Sequence, residues 1–158
     1  MHLSARGLGA AAALVLFATT TGDLPAALLK PAPDPRVGRL ERFFHLYSCP
    51  QPQHVSEYIR AADGYGLDYR LLPAISVRET LCGVGAVQNN RWGYHPGGKG
   101  FQSVEAGIDF ISRDLAEGFY YKGKTLHQKL FTYNPLSAYP GEVQWIMLQI
   151  EPQKATGD

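Results

Sequence analysis

Apolar residues recur at helical spacing from His54 onward: Val55, Tyr58, Ile59 and Ala62 share one face, and Gly64 and Gly66 end the run. This pattern predicts a first helix. A second is expected to begin at a cap on Asp68 or at Pro73, a residue suited to a first helical position, and to run to about Leu81, ahead of Gly83 and Gly85. Ser103 opens a third, with a stripe of Val104, Ile108, Ile111 and Leu115 that Gly118 closes. The run Thr125 to Gln128 (TLHQ) reads as a capping box, followed by Leu126, Leu130 and Tyr133 on one face. A fifth helix is expected after Pro140, with Val143, Ile146, Met147 and Ile150 forming its stripe. The fold class that follows is mainly α, with about five helices and no internal repeat.

Between the second and third predicted helices lies GVGAVQNNRWGYHPGGKGFQ, too long for an ordinary connection and without helical periodicity. Loops of this length in a compact domain are usually functional or disordered, and Trp92, Tyr94 and Phe101 argue against disorder. A short β-hairpin or a small folded-over lobe is expected here.

The amino terminus changes the picture. His2 and Arg6 precede an apolar and glycine run from Leu8 to Ala18, with small residues to Gly22. That is the pattern of an export signal over 1–22, too short for the roughly 20 apolar residues of a spanning helix. Residues 23–38 carry four prolines and read as an extended linker. The folded domain is therefore expected over 39–152, with 153–158 as a tail. Fifteen basic and fourteen acidic residues give a formal charge of +1, no field for gathering nucleic acid or an anionic membrane. The protein is expected to act outside the cytoplasm, in the periplasm, on the cell wall or as a secreted product, without stable membrane insertion once the signal is cleaved.

The chain has two cysteines, and in an exported protein Cys49 and Cys82 are expected to pair. Two helices joined by a short turn should pack antiparallel, which would bring the start of the first, near Cys49, to the end of the second, near Cys82.

On the second predicted helix Leu72, Ile75, Glu79 and Cys82 are spaced by three, four and three, so Glu79 shares a face with core aliphatics. It also sits in the last turn, against the negative end of the helix dipole. Desolvation and the dipole both disfavour the charged form, and a protonated carboxyl there is the group needed to protonate a glycosidic oxygen. An ion pair with Arg78 or Arg91, or a solvated position past the helix end, is the competing reading.

LLPAISVRETLCG followed by NNRWGYH resembles the catalytic-helix and lobe segments of the glucosaminidase family (mannosyl-glycoprotein endo-beta-N-acetylglucosaminidase-like) within the lysozyme-like superfamily. TYNP with YPGEVQWIMLQI resembles the Tyr-Asn segment and closing helix of lytic transglycosylases, so the likeness runs from Phe44 to Ile150. It implies an α+β lysozyme-like fold with the lobe beside a cleft, and an enzyme that cuts β-1,4 bonds in N-acetyl amino-sugar polymers such as bacterial peptidoglycan. It implies Glu79 as proton donor, Asn89, Asn90, Trp92 and Gly93 as the turn beside the cleft, and Tyr133 with Asn134 as the segment near the acid. Trp92 offers a flat face for a sugar ring, and the Asn side chains suit an N-acetyl group. As plain structural residues, Asn89 and Asn90 would be turn formers, Trp92 lobe core and Tyr133 part of a buried stripe.

The sequence departs from the family after Glu79, where it reads ETLCG, and no Asp or Glu occurs from Thr80 to Val104. A second carboxylate would have to come from Glu105 or Asp109, or else the substrate's own N-acetyl oxygen attacks the anomeric carbon. No cofactor is expected, and the scattered histidines show no metal-binding spacing. Two rivals stand beside this reading: a Cys82 nucleophile with His95 as base, and a wall-binding or assembly module with the same fold and no catalysis.

Overall fold

The computed structural model describes residues 32–94 and 100–151. The expected signal 1–22, the tail 153–158 and His95 lie outside them. Among the described residues six helices form the fold: α1 (Pro35–Leu46), α2 (Val55–Tyr65), α3 (Leu71–Thr80), α4 (Val104–Glu117), α5 (Leu126–Tyr133) and α6 (Tyr139–Leu148). None is long and apolar enough to cross a membrane.

Helix α1 corrects the expected linker, which ended at residue 38. Pro35 occupies the first turn and the Asp34 side chain accepts from the Arg36 amide at 2.8 Å, so the Asp-Pro pair starts a helix. Leu40, Phe43 and Phe44 bury its inner face. The five expected helices all form. Ser103 caps α4 through the Ala106 amide, Gly118 ends it, and the Thr125–Gln128 capping box starts α5.

The packing partners differ from the expected antiparallel pairing of the first two predicted helices, which are α2 and α3. α2 lies chiefly against α4 and α3 chiefly against α6, because Gly66, at φ +65°, ends α2 and the Leu67–Arg70 turn redirects the chain. Cys49 and Cys82 nevertheless join in a disulfide with Cα atoms 5.4 Å apart. Its thiol being consumed, Cys82 is excluded as a nucleophile.

Of the expected hairpin or folded-over lobe between α3 and α4, the described residues hold one isolated antiparallel bridge, Val87 to Asn90. Gln88 and Asn89, both at positive φ, form the two-residue turn that closes this bridge, with the Asn90 amide donating to the Val87 carbonyl at 3.0 Å. Side chains also hold the loop. Asn89 Nδ2 donates to the Phe101 carbonyl at 3.0 Å, and Asn90 grips Tyr94 by accepting from its amide (3.0 Å) and donating to its carbonyl (2.7 Å).

Candidate active site

Glu79 lies in the last turn of α3, a helix whose residues Leu71 to Val77 are all buried. Its Oε1 is buried with no hydrogen-bond partner among the described residues. The two arginines that could have paired with it are engaged elsewhere: Arg78 Nε donates to Glu142 Oε2 at 2.7 Å, and Arg91 Nη2 to the Pro52 carbonyl at 3.2 Å. An unpaired buried carboxyl oxygen is costly, and it sits where the loop after α3 folds back.

Side chains hold the turn from Asn90 to Tyr94 at three points, one of them at this helix end. The Thr80 hydroxyl donates to the Arg91 carbonyl at 2.5 Å, the Tyr133 hydroxyl donates to the Trp92 carbonyl at 2.6 Å, and Asn90 holds Tyr94. Gly93 then faces the acid. At φ +56° it takes a left-handed conformation, and a Cβ there would stand 2.9 Å from Glu79 Oε2. The conformation favours glycine, and any side chain there would push the Glu79 carboxylate aside.

Two tyrosines complete the surroundings of Glu79. Tyr133 and Tyr139 stack with ring centroids 6.1 Å apart and planes 6° apart. Burial above all, with Tyr139 and Glu79 adding to it, holds the Tyr133 phenol well above its usual pKa. Tyr139 is fully buried and its hydroxyl lacks a partner; burial and then the Glu79 carboxyl raise its pKa as well.

Gly93 and Tyr133 also line a cleft of about 510 Å³ whose other walls include Tyr94, Asp114, Tyr120 and Tyr121. Asp114 Oδ2 accepts a short hydrogen bond from the Tyr94 hydroxyl. Burial, followed by that bond, raises the Tyr94 phenol. Phenols and a carboxylate around one concavity make a surface rich in flat apolar faces and hydrogen-bonding edges, which is what a sugar presents in return.

The expected site residues divide. Glu79, Gly93 and Tyr133 come together, whereas Trp92 is corrected: it is 0 % exposed, packed edge-on to Tyr58 and Phe101, and cannot face a sugar. A Cβ at Gly107 would come within 2.5 Å of its ring, so the pocket around it is full. Only its carbonyl serves the site. Asn89 and Asn90 have their side-chain amides committed to loop backbone, and Asn134 Oδ1 accepts from the Leu136 amide at 3.1 Å after capping α5, so all three act as turn formers.

Neither carboxylate expected on α4 lines the cleft. His54 Nδ1 lies 3.0 Å from Glu105 Oε1, and Asp109 accepts from the Tyr65 hydroxyl at 3.2 Å. Asp114 on the same helix, Tyr139 and the Tyr120–Tyr121 pair escaped the sequence reading; the aromatic cluster GFYYKGK was the visible signal for the last. Among the described residues no three of His, Cys, Asp and Glu gather to hold a metal ion. Comparison with family models, with curated proteins and with solved structures finds no match for this chain.

Proposed function

We propose that this protein is a lysozyme-like glycosidase that cleaves β-1,4 bonds in N-acetyl amino-sugar polymers, bacterial peptidoglycan foremost, with Glu79 as general acid. The observation that carries it is the Glu79 carboxyl: one oxygen is buried without a partner, and the other lies behind Gly93, which itself lines the tyrosine-rich cleft. Such a group is free of the ion pairs that would commit it to structure. Its likeness in sequence position to the glucosaminidase and lytic transglycosylase acids supports the same role.

In the proposed reaction Glu79 donates a proton to the glycosidic oxygen as the C–O bond breaks, and the substrate's N-acetyl oxygen bonds to the anomeric carbon. The Glu79 carboxylate then takes a proton from the incoming nucleophile. Water gives a reducing end; the sugar's own hydroxyl gives an anhydro end. No cofactor takes part. Gly93, held in place through the Tyr133 bond to the neighbouring Trp92 carbonyl, sets how close the backbone comes to the acid, and such positioning yields rate.

Asp114 favours a second route, in which its carboxylate is the base for water and hydrolysis uses two carboxylates. The site of action proposed is outside the cytoplasm, in keeping with the amino-terminal apolar run and the disulfide.

The test is incubation of the full-length purified protein with purified sacculi and mass spectrometry of the soluble fraction. Released muropeptides support the proposal, and their reducing or anhydro ends choose between hydrolysis and transglycosylation. Sacculi that bind the protein and stay intact would instead indicate a wall-binding module.

A further inference from the structure

The loop between α4 and α5 holds two large aromatics in solvent. Phe119 is 92 % exposed and Tyr120 69 %, and their rings meet edge to face with centroids 5.3 Å apart. Isolated exposed apolar residues are ordinary, but these two are neither isolated nor loose. The Tyr121 and Lys122 amides both donate to the Gly118 carbonyl at 2.9 Å, and the Lys124 amide donates to the Tyr121 carbonyl at 3.1 Å.

Lys129 of α5 fixes the loop from beneath. Its half-buried ammonium donates to the Tyr121 carbonyl at 2.9 Å and also to the Leu115 carbonyl at the end of α4. A charged side chain is thus spent on holding the backbone that carries Phe119 and Tyr120. Tyr120 also lines the cleft that Gly93 and Tyr133 border, so the aromatic pair continues the cleft wall outward.

We infer that Phe119 and Tyr120 form a rigid stacking platform at the cleft mouth that binds a further pyranose unit of the same glycan chain, one beyond those within the cleft. This rests on the proposed function. The apolar face of a pyranose packs on an aromatic ring while its hydroxyls stay in water, which suits solvated rings carried on a hydrogen-bonded backbone. Preorganisation means little ordering entropy is lost on binding. A membrane surface is the other chemistry such a loop suggests, since Lys122 and Lys124 flank the aromatics. One fully exposed Phe and a half-polar Tyr offer too little apolar area for stable anchoring, which takes more than a single weak signal, and Lys124 Nζ is tied to Thr132 Oγ1 at 2.7 Å.

The experiment compares the full chain with Phe119→Ser and Tyr120→Ser for binding to N-acetylglucosamine dimer and hexamer by calorimetry, and for sedimentation with phosphatidylglycerol vesicles. The expected result is that the hexamer's advantage over the dimer shrinks about fivefold with either substitution. Phe119→Ser leaves the thermal midpoint unchanged because that ring packs on little else, and neither the parent nor the variants sediment with vesicles.

A hexamer advantage that is the same in both variants and the parent overturns the platform. Vesicle binding that depends on Phe119 overturns it too, in favour of a membrane contact. If the parent protein binds neither oligomer and releases nothing from sacculi, the proposed function fails and the platform with it. Release from sacculi with an unaltered hexamer advantage defeats the platform alone.

Discussion

Replacing Gly93 with Ala perturbs the site through one methyl group. Gly93 lies at φ +56°, and forcing a non-glycine residue into that region costs about 1–2 kcal/mol. The new Cβ would also stand 2.9 Å from Glu79 Oε2, closer than side-chain carbons and oxygens approach one another, so the carboxylate must move. Misplacing a reacting group by about 1 Å lowers turnover on the order of 100-fold. Gly66→Ala isolates the first effect, since Gly66 lies at φ +65° and a Cβ there meets nothing within 4 Å. Both variants should therefore lose about 1–2 kcal/mol, a fall of roughly 3–8 °C in Tm by scanning calorimetry. Only Gly93→Ala should also lose muropeptide release from sacculi, by about 10- to 100-fold at a temperature where both variants are folded. Equal release by the two variants would refute the close packing of Gly93 on the acid as a determinant of activity.

The Cys49–Cys82 disulfide closes a loop of 33 residues in sequence separation, so a Cys49→Ala/Cys82→Ala double variant should lose about 4 kcal/mol by urea denaturation. A loss below about 1 kcal/mol would show that the unfolded chain is hardly constrained by it. Burial pushes the Tyr58 phenol up to about 12. A folded pKa above the unfolded value of about 10 means its contribution is whole below pH 10 and is lost as pH rises through about 12, on the order of 2–3 kcal/mol. Denaturation midpoints measured across that window should fall, and fall less in Tyr58→Phe, whose parent hydroxyl has no partner among the described residues. Asp114→Asn should raise KM several-fold for sacculi while leaving kcat within about tenfold; a collapse of kcat by 100-fold or more would favour Asp114 as a catalytic base.

Local signals carried the helices well. The capping box at Thr125, the cap at Ser103 and the apolar stripes each depend on neighbours three or four residues away, and each formed where the pattern put it. Helix α1 was obscured because Pro35 sits among other prolines, yet Asp34 before it and Leu40, Phe43 and Phe44 after it form an ordinary capped amphipathic helix. Helix pairing was not legible: α2 meets α4 across a long stretch of chain, and nothing in a short α2–α3 connection reveals that. The site shows the same division. The inward placement of Glu79 at the helix end was legible from its spacing, whereas the commitment of Trp92 to the core depended on Gly107 and Tyr58, far away in sequence. Asp114 reads as one more polar residue on α4 until the fold sets Tyr94 against it.

Glu79 as proton donor is tested most directly by Glu79→Gln, which preserves shape and removes the transferable proton. With purified sacculi, the variant should bind as the parent does and release soluble fragments at least 100-fold more slowly, the usual scale of general acid catalysis. Release at the parental rate would contradict the role assigned to this residue.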